Sequence, residues 1–233
     1  FMGMGEPLHN EEAVMPALEV LAQGLELSRG KVIVSSVGLV PQIRAFLATG
    51  AAKLALSLHA TTDEVRDWIV PVNRRYPLKE VRAMLEEWFP RTDPLTGARV
   101  KGDKFVVIEY VLLAGVNDTV EDARRLVELL SATYAMVNLI VFNPHAGTPF
   151  KRSSDDAVRA FRSVLVQSGV VCTLRVSKGD DEMAACGQLG DPGQSARPVP
   201  PSAPPPAFRD LLSGATALAA SQTLAQQQQQ QQQ

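Results

Sequence analysis

Residues 104–142 read KFVVIEYVLLAGVNDTVEDARRLVELLSATYAMVNLIVF. This stretch decides the fold. Lys104–Leu112 reads as a strand, Thr119–Leu130 as a helix and Ala135–Phe142 as a second strand, with Val137, Leu139 and Val141 alternating against Asn138, Ile140 and Phe142. Working outward, the same alternation recurs. Glu11–Leu27 is predicted helical, because Val14, Leu18, Leu21 and Leu25 recur at three and four behind early acids. Lys31–Ser35 is a short β-branched strand, Pro41–Thr49 a helix stopped by Gly50, and Lys53–His59 a strand. Thr62–Ile69 opens with a capping signature, and Leu78–Phe89 presents Val81, Leu85 and Trp88 on one helical face. Residues 91–103 read as a loop, Asp155–Gln167 as a helix ending at Gly169, and Val170–Val176 as a last strand. Strands separated by helices imply right-handed βαβ units and a parallel α/β sheet. Five such strands are expected, plus whatever Phe1 ends.

The 233 residues suffice for one sizeable domain and a tail. The formal net charge of −2 supplies no global basic field for nucleic acid, although a local patch could. Two cysteines are too few for a disulfide framework and point to a reducing compartment. No apolar run approaches the roughly 20 residues needed to span a bilayer, so no membrane is expected. The chain opens at Phe1-Met2-Gly3-Met4 inside what reads as a strand end, so an upstream segment, with any targeting signal, is expected. Residues 1–190 form the expected structured domain. Residues 191–233, rich in Pro and Ala and ending in a glutamine run, are expected to be a disordered tail, because such a composition buries too little apolar area to offset its ordering entropy.

In parallel sheets, function gathers beyond the carboxyl ends of the strands. Here those ends carry the polar, Gly-rich turns: Gly3-Met4-Gly5-Glu6-Pro7, Ser35-Ser36-Val37-Gly38, Ser57-Leu58-His59-Ala60 and Asn143-Pro144-His145-Ala146-Gly147. Glycines let a backbone lie against a ligand, and the Glu6 carboxylate can pair with an amino group. Ser35, Ser57, His59 and Asn143 can meet the ribose and carboxylate of a nucleoside–amino acid ligand, or each can simply cap a helix or turn. His59 could also act as a general base. No His or Cys lies at ligand spacing, so no protein metal site is expected. Cys172 falls in the last strand and reads as a buried small hydrophobe. Cys186, in Gly179-Asp180-Asp181-Glu182-Met183-Ala184-Ala185-Cys186-Gly187-Gln188, reads either as an incidental exposed thiol or as a reacting one.

Taken together, these motifs resemble one family. Phe1-Met2-Gly3-Met4-Gly5-Glu6-Pro7-Leu8, Ser57-Leu58-His59-Ala60, Asp67-Trp68-Ile69-Val70-Pro71-Val72-Asn73, Ile108-Glu109-Tyr110-Val111-Leu112, Asn138-Leu139-Ile140 with Asn143-Pro144, and Gly179-Asp180-Asp181 through Ala185-Cys186-Gly187-Gln188-Leu189 are similar to the RlmN/Cfr family. These are radical S-adenosylmethionine enzymes that methylate an adenine of large-subunit ribosomal RNA, and in one branch tRNA. The resemblance covers Phe1 to about Leu189 and favours the C2-specific branch. It implies a partial (β/α)6 TIM-like barrel lacking its N-terminal strands. It implies S-adenosylmethionine and a [4Fe–4S] cluster as cofactors, a flavodoxin or ferredoxin as electron donor, and a monomer. Gly5 and Glu6 would meet the methionyl amino end; Ser35, Ser57, Leu58, His59 and Asn143 would complete the pocket. Cys186 would carry the methyl group, and Met2 matches a position implicated in releasing the product through a disulfide between Cys186 and a second cysteine. The Cys-x3-Cys-x2-Cys cluster motif, that resolving cysteine and the accessory domain are absent from these residues. The expectation is therefore an adenine-C2 RNA methyltransferase, inactive as this piece alone. The alternative is a non-catalytic RNA- or nucleoside-binding remnant. The compartment would be cytoplasmic in a bacterium, or a chloroplast or other organelle in a eukaryote.

Overall fold

Five strands form one parallel sheet in chain order: β1 (Ile33–Ser36), β2 (Lys53–Ser57), β3 (Val106–Leu112), β4 (Ala135–Val141) and β5 (Val171–Arg175). The computed structural model describes residues 1–2, 5–102, 104–144, 148–175 and 203–209. Phe1 ladders onto the outer side of β1, its amino group donating to Ile33 O at 2.7 Å and its carbonyl accepting from Ser35 N at 3.0 Å. The helices are α1 (Glu11–Glu19), α2 (Val40–Thr49), α3 (Asp63–Ile69), α4 (Leu78–Trp88), α5 (Val120–Leu129) and α6 (Asp155–Gln167).

One face of the sheet carries the main apolar core. Val34, Leu54, Leu56, Ile108, Tyr110, Val137 and Leu139 join a core with Ile43 and Phe46 of α2, Val81 and Leu85 of α4, Leu126 of α5, and Phe161 of α6. The alternate residues, among them Ser35, Ser57, Glu109, Asn138 and Thr173, therefore line the opposite, inner face. Among the described residues α2, α4, α5 and α6 pack on one face of a parallel sheet, the arrangement of the wall of a (β/α) barrel. The chain order of the strands says the same.

The helix starts follow their sequence signals. Thr119 Oγ1 accepts from Asp122 N while Asp122 Oδ2 accepts from Thr119 N, a reciprocal capping box. Thr62 and Ser154 cap α3 and α6 in the same way with one bond each. The first helix departs from expectation. Its α-helical part stops at Glu19 and gives way to a wider π turn over Val20–Gly24. Pro16 lies inside α1 and supplies no N–H to the turn before it. Val20 and Leu25 are exposed, so no packing holds a regular helix as far as Leu27. Part of the stretch expected to be tail is packed: Phe208 stacks on Trp68 of α3, ring centroids 5.5 Å apart, and Trp68 also meets Phe150 at 5.2 Å. No helix among the described residues is long and apolar enough to cross a membrane.

Candidate functional site

The carboxyl ends of β1, β2 and β3 are tied together by two buried side chains that the sequence reading passed over. Arg66 of α3 is fully buried. Its guanidinium donates to Val37 O at 2.7 Å, Leu58 O at 2.9 Å, Ser57 O at 3.3 Å and Asn73 Oδ1 at 2.9 Å. Asn73 in turn donates to Asp63 Oδ1 and Asp67 Oδ1, at 2.8 and 2.7 Å. A planar fork of donors suits this array, where a lysine ammonium would not. Burial pulls the Arg66 guanidinium down to about 10, while Asp63 and Asp67 act to hold it up. It is still charged at neutral pH.

Asn117 grips the next gap. It accepts from Leu113 N at 2.7 Å and donates to His59 O at 2.7 Å and Val111 O at 2.8 Å, and Tyr110 Oη bonds its carbonyl at 3.0 Å. The turn Ser57-Leu58-His59 is thus held from both sides. His59 sits at φ +59°, a left-handed conformation uncommon outside glycine and asparagine, and the Asn117 bond to its carbonyl holds it there.

Of the expected site residues, Gly5 has φ +86° and open space where a Cβ would lie, so its backbone is accessible from that side. Glu6 spends both oxygens on backbone: Oε1 accepts from Leu8 N at 3.2 Å and Oε2 from Val37 N at 2.8 Å, which joins its loop to the end of β1. Ser35 Oγ donates to Phe1 O at 3.1 Å. Ser57 is half-buried on the inner face. Leu58 is different, because its side chain lies in the helix-side core and only its backbone belongs to the rim. Asn143 is half-buried just past β4, and Met2 is exposed beside β1. The structure therefore brings Glu6, Ser35, Ser57, Leu58 and His59 onto one connected rim. Gly3, Met4 and Cys186 lie outside the described residues.

His59 was expected as a possible base. Its imidazole is held down to about 4 by burial first and by the Arg66 charge second. Its Nδ1 accepts from Val111 N at 3.2 Å, so the proton of the neutral ring is on Nε2. At neutral pH it offers a hydrogen-bond donor, not a strong base. Cys172 packs against the helix-side core, and burial pushes its thiol up to about 11. It is a poor thiolate ligand. Among the described residues no group of three His, Cys, Asp or Glu side chains could hold a metal ion.

Deeper on the inner face lies a polar row. Ser57, Glu109, Asn138 and Thr173 are register neighbours on four adjacent strands. Thr173 Oγ1 donates to Asn138 Oδ1 at 2.9 Å, and Asn138 Nδ2 donates to Glu109 Oε2 and Oε1 at 2.9 and 3.2 Å. Burial raises the Glu109 carboxyl above its usual range, against the Asn138 bond and the Arg175 charge. One signal was visible beforehand: Glu109 is a lone acid inside the apolar run Val106–Leu112. Arg66 and Asn117 gave no such signal, since an arginine on a helix and an asparagine before a helix cap are ordinary surface residues.

No family model matches the chain. The "Dual-specificity RNA methyltransferase RlmN" of Geotalea uraniireducens is 46% identical over 191 residues, 81% of this chain and 53% of that protein. The protein of the same name from Dinoroseobacter shibae is 41% identical over 198 residues, 84% of this chain and 48% of that one. The chain spans about half the length of the curated relatives it matches. A crystal structure of a radical SAM methyltransferase from Sphaerobacter thermophilus superposes with a TM-score of 0.71 at 38% identity, over 81% of this chain and 53% of that one. A domain of a pyruvate-formate lyase-activating enzyme from Bacteroides vulgatus shares the fold alone, with a TM-score of 0.55 at 19% identity.

Proposed function

The chain belongs to the RlmN family, over about half the length of its members, and from that premise we propose that it forms part of the cofactor-binding wall of a radical S-adenosylmethionine RNA methyltransferase and carries its methyl-accepting thiol. The substrates are an adenine of 23S-type ribosomal RNA, methylated at C2, and tRNA. What supports the reading is the connected rim: Glu6, Ser35, Ser57, Leu58 and His59 joined through Val37, Arg66 and Asn117 at the carboxyl ends of three strands.

The residues present suit S-adenosylmethionine. Open space at Gly5 admits a ligand beside the backbone. The Glu6 oxygens each keep a lone pair for an ammonium group, beyond the backbone bond each already accepts. Ser35, Ser57 and Asn143 offer hydroxyl and amide groups to the ribose and carboxylate. Leu58 contributes backbone only. His59 donates from Nε2 and stays neutral, so it does not repel a cationic ligand. S-adenosylmethionine supplies the methyl group. Cys186, deprotonated, would be the nucleophile that receives it, with S-adenosylhomocysteine as the leaving group. Met2 would act in the later release of product, in which the thiolate of a second cysteine attacks the Cys186 sulfur, forming a disulfide as the bond from that sulfur to the product's carbon breaks and that carbon takes up a proton. The residues do not suit an iron–sulfur cluster. The 233 residues contain two cysteines, and Cys172 is a poor thiolate ligand, so these residues cannot supply three thiolates. The cluster and its electron donor, a flavodoxin or ferredoxin, belong to the whole monomeric enzyme, and this piece alone is inactive.

Peptide mass analysis of the whole gene product, expressed in cells with its cofactors, tests this. A methyl group on the Cys186 peptide is expected, and its absence from a cluster-loaded preparation overturns the carrier role. The small number of cysteines favours a second reading, a nucleoside- or RNA-binding module without catalysis. In that case the whole product binds S-adenosylhomocysteine yet transfers no label to RNA. A persistent iron–sulfur spectrum from the 233 residues, reconstituted without oxygen, would contradict the cluster argument.

A further inference from the structure

Resting on the cofactor reading above, we propose that Glu109 is a binding residue that accepts hydrogen bonds from the ribose hydroxyls of the adenosyl group. No role falls to it in the rim just described. Its position singles it out first. It is the one charged residue of β3, only 4% exposed, and it sits on the face of the sheet opposite the main helix-side core. Its register neighbour on β2 is Ser57, a rim residue already facing the ligand. A nucleoside lying over Ser57 therefore lies over Glu109.

The hydrogen bonds around Glu109 run in one direction. Thr173 donates to Asn138, and Asn138 donates to both carboxylate oxygens. Two donors on β5 and β4 thus lead to one acceptor on β3, although the Thr173 hydroxyl also lies 3.5 Å from Val137 O. Each carboxylate oxygen keeps a further lone pair. The fold does not need the arrangement. Arg66 and Asn117 satisfy backbone carbonyls at strand ends, whereas the bonds of Glu109 and Asn138 go only to other side chains of the row. Burial outweighs both the Asn138 amide and the Arg175 charge, so the carboxylate is held there at a cost. A ligand with two adjacent donors removes that cost. The ammonium group of the cofactor falls to Glu6. Of the donors that remain, the adenine amine offers both protons from one nitrogen, whereas the vicinal ribose hydroxyls are two separate donors that match two carboxylate oxygens. An acidic side chain accepting from ribose hydroxyls is an established way of holding a nucleoside.

The test compares S-adenosylhomocysteine with its 2′-deoxy counterpart by titration calorimetry, on the whole gene product and its Glu109→Gln variant. The wild type is expected to prefer the ribose form by about tenfold, as for a hydrogen bond to a charged group. Glu109→Gln is expected to lose about tenfold in affinity for the ribose form and to discriminate by less than about threefold. An unchanged preference in the variant overturns the proposal. So does a loss confined to S-adenosylmethionine, because that assigns Glu109 to the sulfonium charge instead. If circular dichroism shows Glu109→Gln unfolded, Glu109→Asp is read by the same comparison, and an unchanged preference there has the same meaning. Wild-type protein that binds neither nucleoside refutes the cofactor reading itself. Wild-type protein that binds both equally refutes only the role of Glu109.

Discussion

Replacing Arg66 with methionine keeps most of the side-chain length and removes every donor. Val37 O and Asn73 Oδ1 then lose bonds of 2.7 and 2.9 Å, while Leu58 O retains only the one from Ala60 N. A buried acceptor left without its partner costs about 1–3 kcal/mol, and Asp63 and Asp67 lose the cation that compensates them. Removing one member of a buried charged network costs about 3–5 kcal/mol, against a total domain stability of about 5–15 kcal/mol. With a urea dependence of about 2 kcal/mol per molar, the unfolding midpoint is expected to fall by about 1.5–2.5 M. Trp68, on the same helix, supplies the fluorescence signal. Arg66→Lys restores the charge but not the fork, and should recover less than half of the loss. A midpoint shift below about 0.5 M for Arg66→Met would refute the idea that this guanidinium holds the strand ends together.

Three further outcomes follow from the same geometry. His59 titrates near 4 when folded and at 6.5 when unfolded. The unfolded chain therefore takes up the proton first, and stability falls as pH drops from 6.5 toward 4; between pH 7 and 5 the loss is about 1–2 kcal/mol. Glu109, raised in the fold, works in the opposite direction, so the readout is wild type minus His59→Asn, which keeps a side chain tolerant of positive φ; equal pH profiles would contradict the assignment. Gly38 lies at φ +110°, and a Cβ there would come within 3.1 Å of Arg66 Nη2; Gly38→Ala should cost about 1–3 kcal/mol, and calorimetric melting that shows no cost would be inconsistent with the close approach. The Cys172 thiol, pushed up to about 11, should react with a disulfide reagent at pH 8 roughly 100-fold more slowly than a free cysteine in a Cys186→Ser background, and comparable rates would remove the argument that it is inert.

Most of the wall was legible before any coordinates. Alternation of strand and helix periods specifies parallel pairing, and the polar turns set the carboxyl-end rim apart from the other, which carries helix stops. What escaped was of two kinds. Leu21 and Leu25 carry a helical period, yet the chain leaves the α-helix at Val20, since periodicity reports an apolar face but not whether anything covers it. Arg66 and Asn117 carry no local mark at all, because their partners lie up to 58 residues away in sequence.

The residue types themselves therefore determined the βαβ order, the strand faces and which turns are polar and Gly-rich, since side-chain period and turn chemistry are local properties. Tertiary structure alone decided which polar residues serve the backbone and which bond only to other side chains. Arg66, Asn117 and Glu109 are all buried polar groups, and only the distances separate two that satisfy strand-end carbonyls from one that is bonded by the side chain of Asn138. Burial and hydrogen-bond pairing are properties of the assembled sheet: Arg66 has Asn73 near it in sequence and Asn117 has Leu113, yet Val37 lies 29 residues from Arg66 and His59 lies 58 from Asn117, and only the fold brings these together.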